Sequence, residues 1–346
     1  MNIHVVNPLA DDRWVHFAER HPAASPFHQR GWLEALRRTY GYEPLALTTA
    51  PPGDGLQDGL VLCRVSSWLT GERLVSLPFA DHCSPLLNGR NEWPAYLEWI
   101  REECERSRCR YYEARPLAGL EPARGLMQAS GSFCVHILDV RPSEDEIFRG
   151  LHKDSVQRKI RRAEREGLAY ASGRSEELQS EFYHLLVRTR RRHRLPPQPR
   201  SWFRNLMECM GDRALIRVAR KNKAAIAALL TLRHGSSVVY KYGCSDERFH
   251  NLGGVALLFW RLIQESKASG ASSIDFGRSD LDQEGLIKFK SHWGASQAPL
   301  TYYRHPAGSV KKASTGRESQ AVRRIVALLP DAALAAAGRI LYRHMG

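Results

Sequence analysis

The chain has 346 residues, of which 43% are hydrophobic and 25% are charged. This composition is that of a soluble globular protein and excludes the disordered class, while the length predicts two domains with separate cores. Lys and Arg number 51 against 37 Asp and Glu, and the formal net charge of +14 favours a polyanionic substrate or partner. Phosphorylated lipids or nucleotides, tRNA, DNA and an anionic membrane surface all fit that charge.

The seven cysteines are odd in number and scattered, without a C-x-x-C pair or a His-rich ligand spacing. We therefore expect neither a disulfide framework nor a metal site. The first residues lack the pattern of a secretory signal, and no stretch approaches about 18 consecutive apolar residues. These features predict a reduced, cytoplasmic protein.

Apolar spacing and turn residues predict an alternation of helices and strands in the first part of the chain. The predicted helices cover 27–40 and 92–108, and the predicted strands cover 43–49, 59–66, 73–77 and 110–115.

After a loop region at 116–132, a similar order of elements begins again. The predicted helices cover 154–166, 176–194 and 255–269, and the predicted strands cover 136–140, 214–219, 224–233, 237–242 and 273–276. Two copies of one mixed plan indicate an α/β (α+β) fold class. We expect domains at 1–130 and 131–306, followed at 307–346 by a basic linker and a C-terminal amphipathic helix.

A basic stripe lies on the predicted helix 154–166. Val156, Ile160 and Ala163 share one helical face, while the arginines gather on another. The structural interpretation is a solvated face; the functional one is a site for an anionic substrate. The residues expected to bind substrate here are Lys153, Arg158, Arg161 and Arg162.

A second basic cluster, without any acidic residue, covers 188–194 and leads into the proline-rich segment 196–199. If the two clusters converge, their guanidinium groups would hold phosphates through charge-assisted hydrogen bonds.

A glycine pair, Gly253 and Gly254, opens the predicted helix 255–269 after a polar turn. Backbone N–H groups at such a helix start bind anions, and glycine lets a phosphate approach closely. The spacing Asn251-x-x-Gly254-x-Ala256 resembles the pyrophosphate loop of GNAT enzymes, with Asn where Gln or Arg is usual. The resemblance implies that Asn251, Gly253, Gly254 and Ala256 bind a cofactor or donor.

The segment 274–294, IDFGRSDLDQEGLIKFKSHWG, is the most specific part of the chain. Asp275, Arg278 and Lys290 cluster at the end of a predicted strand, where α/β folds gather ligands. We expect these three residues to be catalytic. The structural alternative is a corner in which Asp275 caps a turn and Arg278 pairs with Asp280 or Asp282.

Together with the early helix, Ser76-Leu77-Pro78-Phe79, the basic helix and Tyr302-Tyr303, this segment resembles Fem-like transferases of the GNAT superfamily from about Pro26 to Arg304. The resemblance implies two GNAT-like domains, each a mixed, mostly antiparallel sheet flanked by helices. It also implies an acyl or aminoacyl transferase that uses acyl-CoA or aminoacyl-tRNA as donor substrate, with no permanently bound cofactor. Further residues expected to bind substrate are Tyr240, Tyr242 and Ser279.

We expect the acceptor to be an amine or hydroxyl of a phosphate-linked cell-envelope, peptidoglycan or exopolysaccharide precursor. The expected partners are an anionic small-molecule or lipid-linked acceptor, tRNA, and the inner membrane surface through peripheral contact. Two alternatives remain, a nucleic-acid-binding protein that uses the arginine clusters and a noncatalytic GNAT-like scaffold. The first lacks aromatic residues interleaved with its basic runs, and the second is kept open because the sequence shows no clear catalytic base.

Overall fold

The computed structural model describes residues 1–89, 92–117, 127–306 and 330–345. The strands within this part are β1 His4–Val6, β2 Glu43–Thr48, β3 Leu60–Val65, β4 Arg73–Val75, β5 Tyr112–Ala114, β6 Gln128–Asp139, β7 Ala169–Gly173, β8 Ala214–Lys221, β9 Ala224–His234, β10 Ser237–Ser245, β11 Ser273–Asp280 and β12 Ser296–His305. The α-helices are α1 Asp12–Arg20, α2 Arg30–Tyr40, α3 Trp93–Arg106, α4 Glu144–Gly150, α5 Arg158–Arg165, α6 Glu176–Arg192, α7 Arg200–Met210, α8 Gly254–Ala268, α9 Glu284–Ser291 and α10 Asp331–Tyr342. None of these helices is long and apolar enough to cross a membrane.

The chain divides into two compact units. The described part of the first comprises the residues up to Phe133 with 299–306 and 339–345. Its strands follow the order β1-β2-β3-β4-β5-β12, in which β4 and β5 are parallel and the other registered pairs are antiparallel. Tyr96 and Ile100 of α3 are buried in its core, since the apolar face of that helix faces Leu62 and Leu74 of the sheet.

The described part of the second unit comprises 134–298 and 330–338. Its strands follow the order β6-β11-β10-β9-β8-β7, with antiparallel pairing from β7 through β10 and parallel pairing between β10 and β11. The central part of its core is formed by α5, α8 and one face of the sheet, with Phe259, Phe276 and Trp293 as its largest fully buried side chains.

The parallel pairing of β10 with β11 is short. Registered pairs run from Ser237–Ser273 to Val239–Asp275, whereas β10 remains paired with β9 as far as Ser245. A register shift between Tyr240 and Tyr242 follows directly after the last β10–β11 pair. Beyond that pair, no further pairing of β10 with β11 is recorded among the described residues. Helix α8 connects the two strands, and the ring centre of its Phe259 lies 4.7 Å from that of Tyr240.

The expected fold class is confirmed, because each unit contains a mixed, mostly antiparallel sheet with helices. Strand β11 continues to Asp280, past the predicted end at Phe276, because Gly277 adopts φ +71° and lets the strand pass through a kink. The predicted helix 154–166 begins instead with one π-helical turn, Lys153–Gln157. The predicted linker at 307–329 lies outside the described residues, and the domain boundaries stay a prediction.

Candidate active site

A cavity of about 270 Å³ lies at the N-terminus of α8 in the second unit. One wall comes from α8 and the turn before it, and others come from β9, from α9 with Trp293, and from the segment that leads into α5. Its lining residues are Ser155, Lys159, Ile226, Ala227, Ser245, Phe249, His250, Gly253, Gly254, Val255, Ala256, Phe289 and Trp293. Three of the four residues expected to bind a cofactor therefore line one cavity, while Asn251 is exposed outside its lining.

The two glycines allow the close packing that forms this cavity. Gly253 has φ +80°, and a Cβ there would lie 2.2 Å from the carbonyl oxygen of Lys159. A Cβ at Gly254 would lie 3.1 Å from Cδ1 of Ile226 on β9. Larger residues would push α8 away from α5 and from the sheet, so the glycine pair is required by packing as well as by the turn.

The first turn of α8 has the character of an anion site. Its N-cap is Gly253, which provides no side-chain hydrogen bond, and the first amide groups of a helix lack intrahelical acceptors. The positive end of the helix dipole adds to these free donors. Lys159 lies at the exposed rim of the same cavity and supplies a full positive charge.

Ser245 and His250 form a hydrogen-bonded pair in the cavity lining that the sequence analysis did not identify. The Ser245 hydroxyl lies 2.8 Å from Nε2 of His250, which sits at the exposed rim. Partial desolvation of the ring and the positive charge of Arg192, with a smaller effect from Lys159, lower the pKa of His250 below 6.5, although Glu247 opposes the shift. The one sequence feature that could have pointed to His250 is its position directly before Asn251.

One residue of the second basic cluster, Arg192, lies near Lys159 of α5 at this place. Arg192 on α6 and Lys159 on α5 both act electrostatically on His250. Arg192 also donates to the backbone carbonyl of Ser245 at 3.3 Å, and Thr189 donates to the same oxygen at 3.1 Å. The C-terminal half of α6 is thereby attached to the strand end that lines the cavity.

The predicted stripe on α5 lies on the surface outside the cavity lining. Arg162 forms an ion pair with Glu166 at 2.8 Å, and the guanidinium of Arg161 lies 5.6 Å from the centre of the Phe148 ring. Lys153 and Arg158 are exposed. The basic residue of this segment that lines the cavity is Lys159, which faces a different direction from the stripe.

Asp275 and Lys290 are brought together at the kink of β11. Asp275 is 4% exposed, and its carboxylate accepts a hydrogen bond of 2.6 Å from the N–H of Gly277. Lys290 is 2% exposed, and its ammonium donates to the carbonyl oxygens of Gly277 at 2.7 Å and Arg278 at 3.0 Å. Asp275 therefore binds the N–H of Gly277 while Lys290 binds its carbonyl oxygen, and together they hold the backbone at the kink.

The other two predicted residues of this segment differ in exposure. The Arg278 side chain is 34% exposed and lies 3.8 Å from the carboxylate of Asp280, a long ion pair. Ser279 is 1% exposed, and its hydroxyl has no hydrogen-bond partner among the described residues. Of the group, Arg278 is the side chain that solvent, and hence a ligand, can reach.

Tyr240 and Tyr242 pack on different faces of the sheet. Tyr240 contacts the ring of Phe259 on α8, with ring centres 4.7 Å apart, whereas the Tyr242 hydroxyl accepts a 3.0 Å hydrogen bond from Trp202 on α7. The register shift between them explains this, because residues two apart in a regular strand face the same side. Both rings belong to packed clusters, and their role in substrate binding stays a prediction.

The side chains of Trp293 and Cys83 are buried. Trp293 is 1% exposed and packs against Phe259. Cys83 is 1% exposed, and burial raises the pKa of its thiol to about 12, which leaves it a poor nucleophile at neutral pH.

Comparison with known proteins agrees with this geometry. The family profile of the acetyltransferase (GNAT) domain matches residues 152–291, the part that holds the cavity and the β11 kink. No curated protein sequence matches the chain.

Several solved structures share the fold at low sequence identity. FemX superimposes with a TM-score of 0.69 at 14% identity, over 87% of this chain and 97% of its own. The C-terminal domain of an Agrobacterium fabrum protein assigned as a lysylphosphatidylglycerol synthetase gives 0.55 at 13% identity, over 86% of this chain and 92% of its own. A tandem GNAT protein from the clavulanic acid biosynthesis pathway gives 0.54 at 14% identity, over 89% and 99%.

Residues 152–291 thus match the acetyltransferase (GNAT) domain, the class of enzyme that the sequence resemblance implied. The fold of the chain is shared with FemX and with a tandem GNAT protein, as the family resemblance in the sequence implied.

Proposed function

We propose that the protein transfers an acyl or aminoacyl group from acyl-CoA or aminoacyl-tRNA to an amine or hydroxyl of a phosphate-linked cell-envelope or exopolysaccharide precursor. The observation that carries this proposal is the cavity at the N-terminus of α8, where free amide groups, two glycines and Lys159 meet. Such a site suits the phosphate of an acyl carrier.

The same cavity offers a path for the rest of the donor. Phe249, Phe289 and Trp293 give part of its lining an apolar character, which suits the uncharged arm between a carrier phosphate and the acyl group. The phosphate would lie at the helix start, and the arm would lie along the apolar wall.

The reaction that follows is direct transfer. The acceptor nitrogen or oxygen attacks the acyl carbonyl carbon, the bond to the carrier sulfur or oxygen breaks, and the proton of the acceptor passes to solvent or to the departing carrier. Holding both substrates in one geometry and stabilising the developing oxyanion supply the rate enhancement.

We assign different roles to the three residues expected to be catalytic. Asp275 and Lys290 are buried and hydrogen-bonded to the backbone, so we propose that they position the end of β11. Arg278 is the accessible member, and we propose that it contacts a substrate phosphate or the developing oxyanion.

The substrate class draws on the comparisons. The name lysylphosphatidylglycerol synthetase refers to a lysyl group joined to a phospholipid, and the tandem GNAT structure is described as lacking acetyl-CoA. These names support, for this chain, an aminoacyl or acyl donor and a phosphate-linked acceptor. We further propose a cytoplasmic location with peripheral contact at the inner membrane surface, in keeping with the net charge of +14.

A transfer assay tests the proposal. Purified protein is incubated with acetyl-CoA, a longer acyl-CoA or charged tRNA together with amine-bearing lipid-linked and nucleotide-sugar acceptors, and mass spectrometry detects the acylated product. We expect Lys159→Gln to lower transfer at least tenfold, because a charge-assisted phosphate contact is lost. Lys223→Gln, which removes an exposed lysine from the β8–β9 turn, is the matched control and should transfer normally. Donor binding without turnover for every acceptor would instead support the scaffold alternative.

A further inference from the structure

A second cavity, of about 350 Å³, adjoins the first on the side of α6. Arginines from the C-terminal half of α6 form one wall, and the residues that follow β10 form the other. Its lining residues are His184, Arg188, Arg191, Arg192, Ser245, Asp246 and Glu247, and we refer to it as the arginine cleft.

The arginine cleft keeps an excess of positive charge despite its two carboxylates. The Asp246 carboxylate is 4% exposed and is held by Arg248 at 2.7 Å, with Arg188 at 3.2 Å. The three arginines of α6 outnumber the carboxylates of Asp246 and Glu247 in the lining, and Arg248 adds a further positive charge beside Asp246. Arg188, Arg191 and Arg192 are only partly exposed, which makes contacts with an anion stronger than they would be in bulk water.

The arginine cleft is connected to the α8 cavity through one residue, since Ser245 lines both. Hydrogen bonds of its backbone hold Ser245 in place. Its N–H donates to Thr189 at 2.9 Å, and its carbonyl oxygen accepts from Thr189 and Arg192. A ligand whose phosphate lies at the start of α8 therefore has a second cationic site directly beside it.

We propose that the arginine cleft is a second anion subsite, which binds a phosphate of the nucleotide carrier beyond the one bound at the start of α8. The inference rests on the proposed function and narrows the donor to carriers that bear separate phosphate groups. The 3′-phosphate of coenzyme A and the terminal phosphodiesters of a tRNA 3′ end share this chemistry. Guanidinium groups suit it because they form bidentate contacts with phosphate oxygens.

Calorimetric titration separates the two sources. The ligands are coenzyme A, 3′-dephospho-coenzyme A and a short RNA oligonucleotide that ends in CCA. The protein variants are the wild type, the double variant Arg188→Gln with Arg191→Gln, and Lys159→Gln. The double variant Arg200→Gln with Arg204→Gln on α7 is the matched control for charge. If the first double variant melts early, Arg191→Gln alone replaces it, since it leaves the contact between Arg188 and Asp246 intact.

For a coenzyme A donor, the wild type should bind coenzyme A about tenfold or more tightly than the dephosphorylated form, and the arginine variant should abolish that difference. For an RNA donor, the arginine variant should weaken oligonucleotide binding about tenfold while the α7 control does not. The subsite is overturned if the arginine variant binds all three ligands like the wild type while Lys159→Gln still weakens them, and the proposed function then survives. Wild-type protein that binds none of the ligands would remove the proposed function and the subsite together.

Discussion

Gly253 lies against the backbone of Lys159 so closely that a Cβ on the glycine would be 2.2 Å from the Lys159 carbonyl oxygen. This contact joins the turn before α8 to the start of α5, and both segments contribute to the cavity that we assign to the donor. The glycine pair therefore serves two purposes, since it frees the helix amides for an anion and it allows Lys159 to stand beside them.

Gly253→Ala should damage both the fold and the site. The left-handed backbone and the clash with Lys159 each cost about 1–2 kcal/mol or more, so we expect the free energy of unfolding to fall by at least about 2 kcal/mol. Urea unfolding measures this. Gly150→Ala is the control, because a Cβ there meets nothing within 4 Å, and it should leave stability unchanged or slightly raised. A Gly253→Ala protein as stable as the wild type would show that α5 and α8 are not packed in this way.

Asp275 offers a test of positioning against proton transfer. Asn at this position keeps an oxygen that can accept the Gly277 N–H, whereas Ala leaves that buried donor unpaired at a cost of about 1–3 kcal/mol. We expect Asp275→Asn to retain kcat within about tenfold and Asp275→Ala to lose far more. A loss of about a hundredfold or more in the Asn variant, with unchanged stability, would instead make Asp275 a proton acceptor.

Local patterns in the sequence predicted the segments of the candidate site but not the contacts between them. The glycine pair and the strand beginning at Ser273 can be recognised from neighbouring residues alone, because they depend on backbone conformation and strand propensity. The pairing of Ser245 with His250 cannot be recognised in this way, since it depends on how the turn after β10 folds back. For the same reason, the sequence analysis did not single out Lys159. Only the packing of α8 against α5 distinguishes Lys159 from the neighbouring arginines.

The alternation of apolar and polar residues also could not predict where a strand ends or on which face of the sheet a side chain lies. The register shift between Tyr240 and Tyr242 reverses the face of the second tyrosine, and nothing in the alternation of residues marks it. The prediction ended β11 at Phe276, directly before Gly277, whereas Asp275 and Lys290 hold the chain through the kink.

The lowered pKa of His250 predicts a pH dependence of donor binding. The imidazole is neutral at pH 7 and gains a positive charge as the pH falls below 6.5, so affinity for a phosphate should rise in that range. We expect dephospho-coenzyme A, whose pyrophosphate charge is constant there, to bind a few-fold more tightly at pH 5.5 than at pH 7.5. His250→Gln should remove the increase, and an identical increase in that variant would assign it to another group.

Buried His136 should make stability fall in mild acid. It is 0% exposed, and burial together with the nearby Lys290 lowers the pKa of its ring below 6.5. The unfolded chain therefore binds the proton first, so the stabilisation present above pH 6.5 is lost as the pH falls from there to the folded-state value. Urea unfolding at pH 7.5 and 5.5 should show a smaller difference for His136→Gln, by on the order of 1 kcal/mol per pKa unit, than for the wild type. The exposed control His16→Gln should leave the difference unchanged.

The central claim is that the first turn of α8 binds the phosphate of the acyl donor. The most direct measurement is a titration of ¹⁵N-labelled protein with coenzyme A, observed through the backbone amide resonances. The account predicts that the amides of Gly254, Val255 and Ala256 move most, because they would donate to the phosphate, and that Lys159→Gln shifts their midpoint to higher ligand concentration. Saturable changes confined to other parts of the chain, with these three amides unmoved, would contradict it.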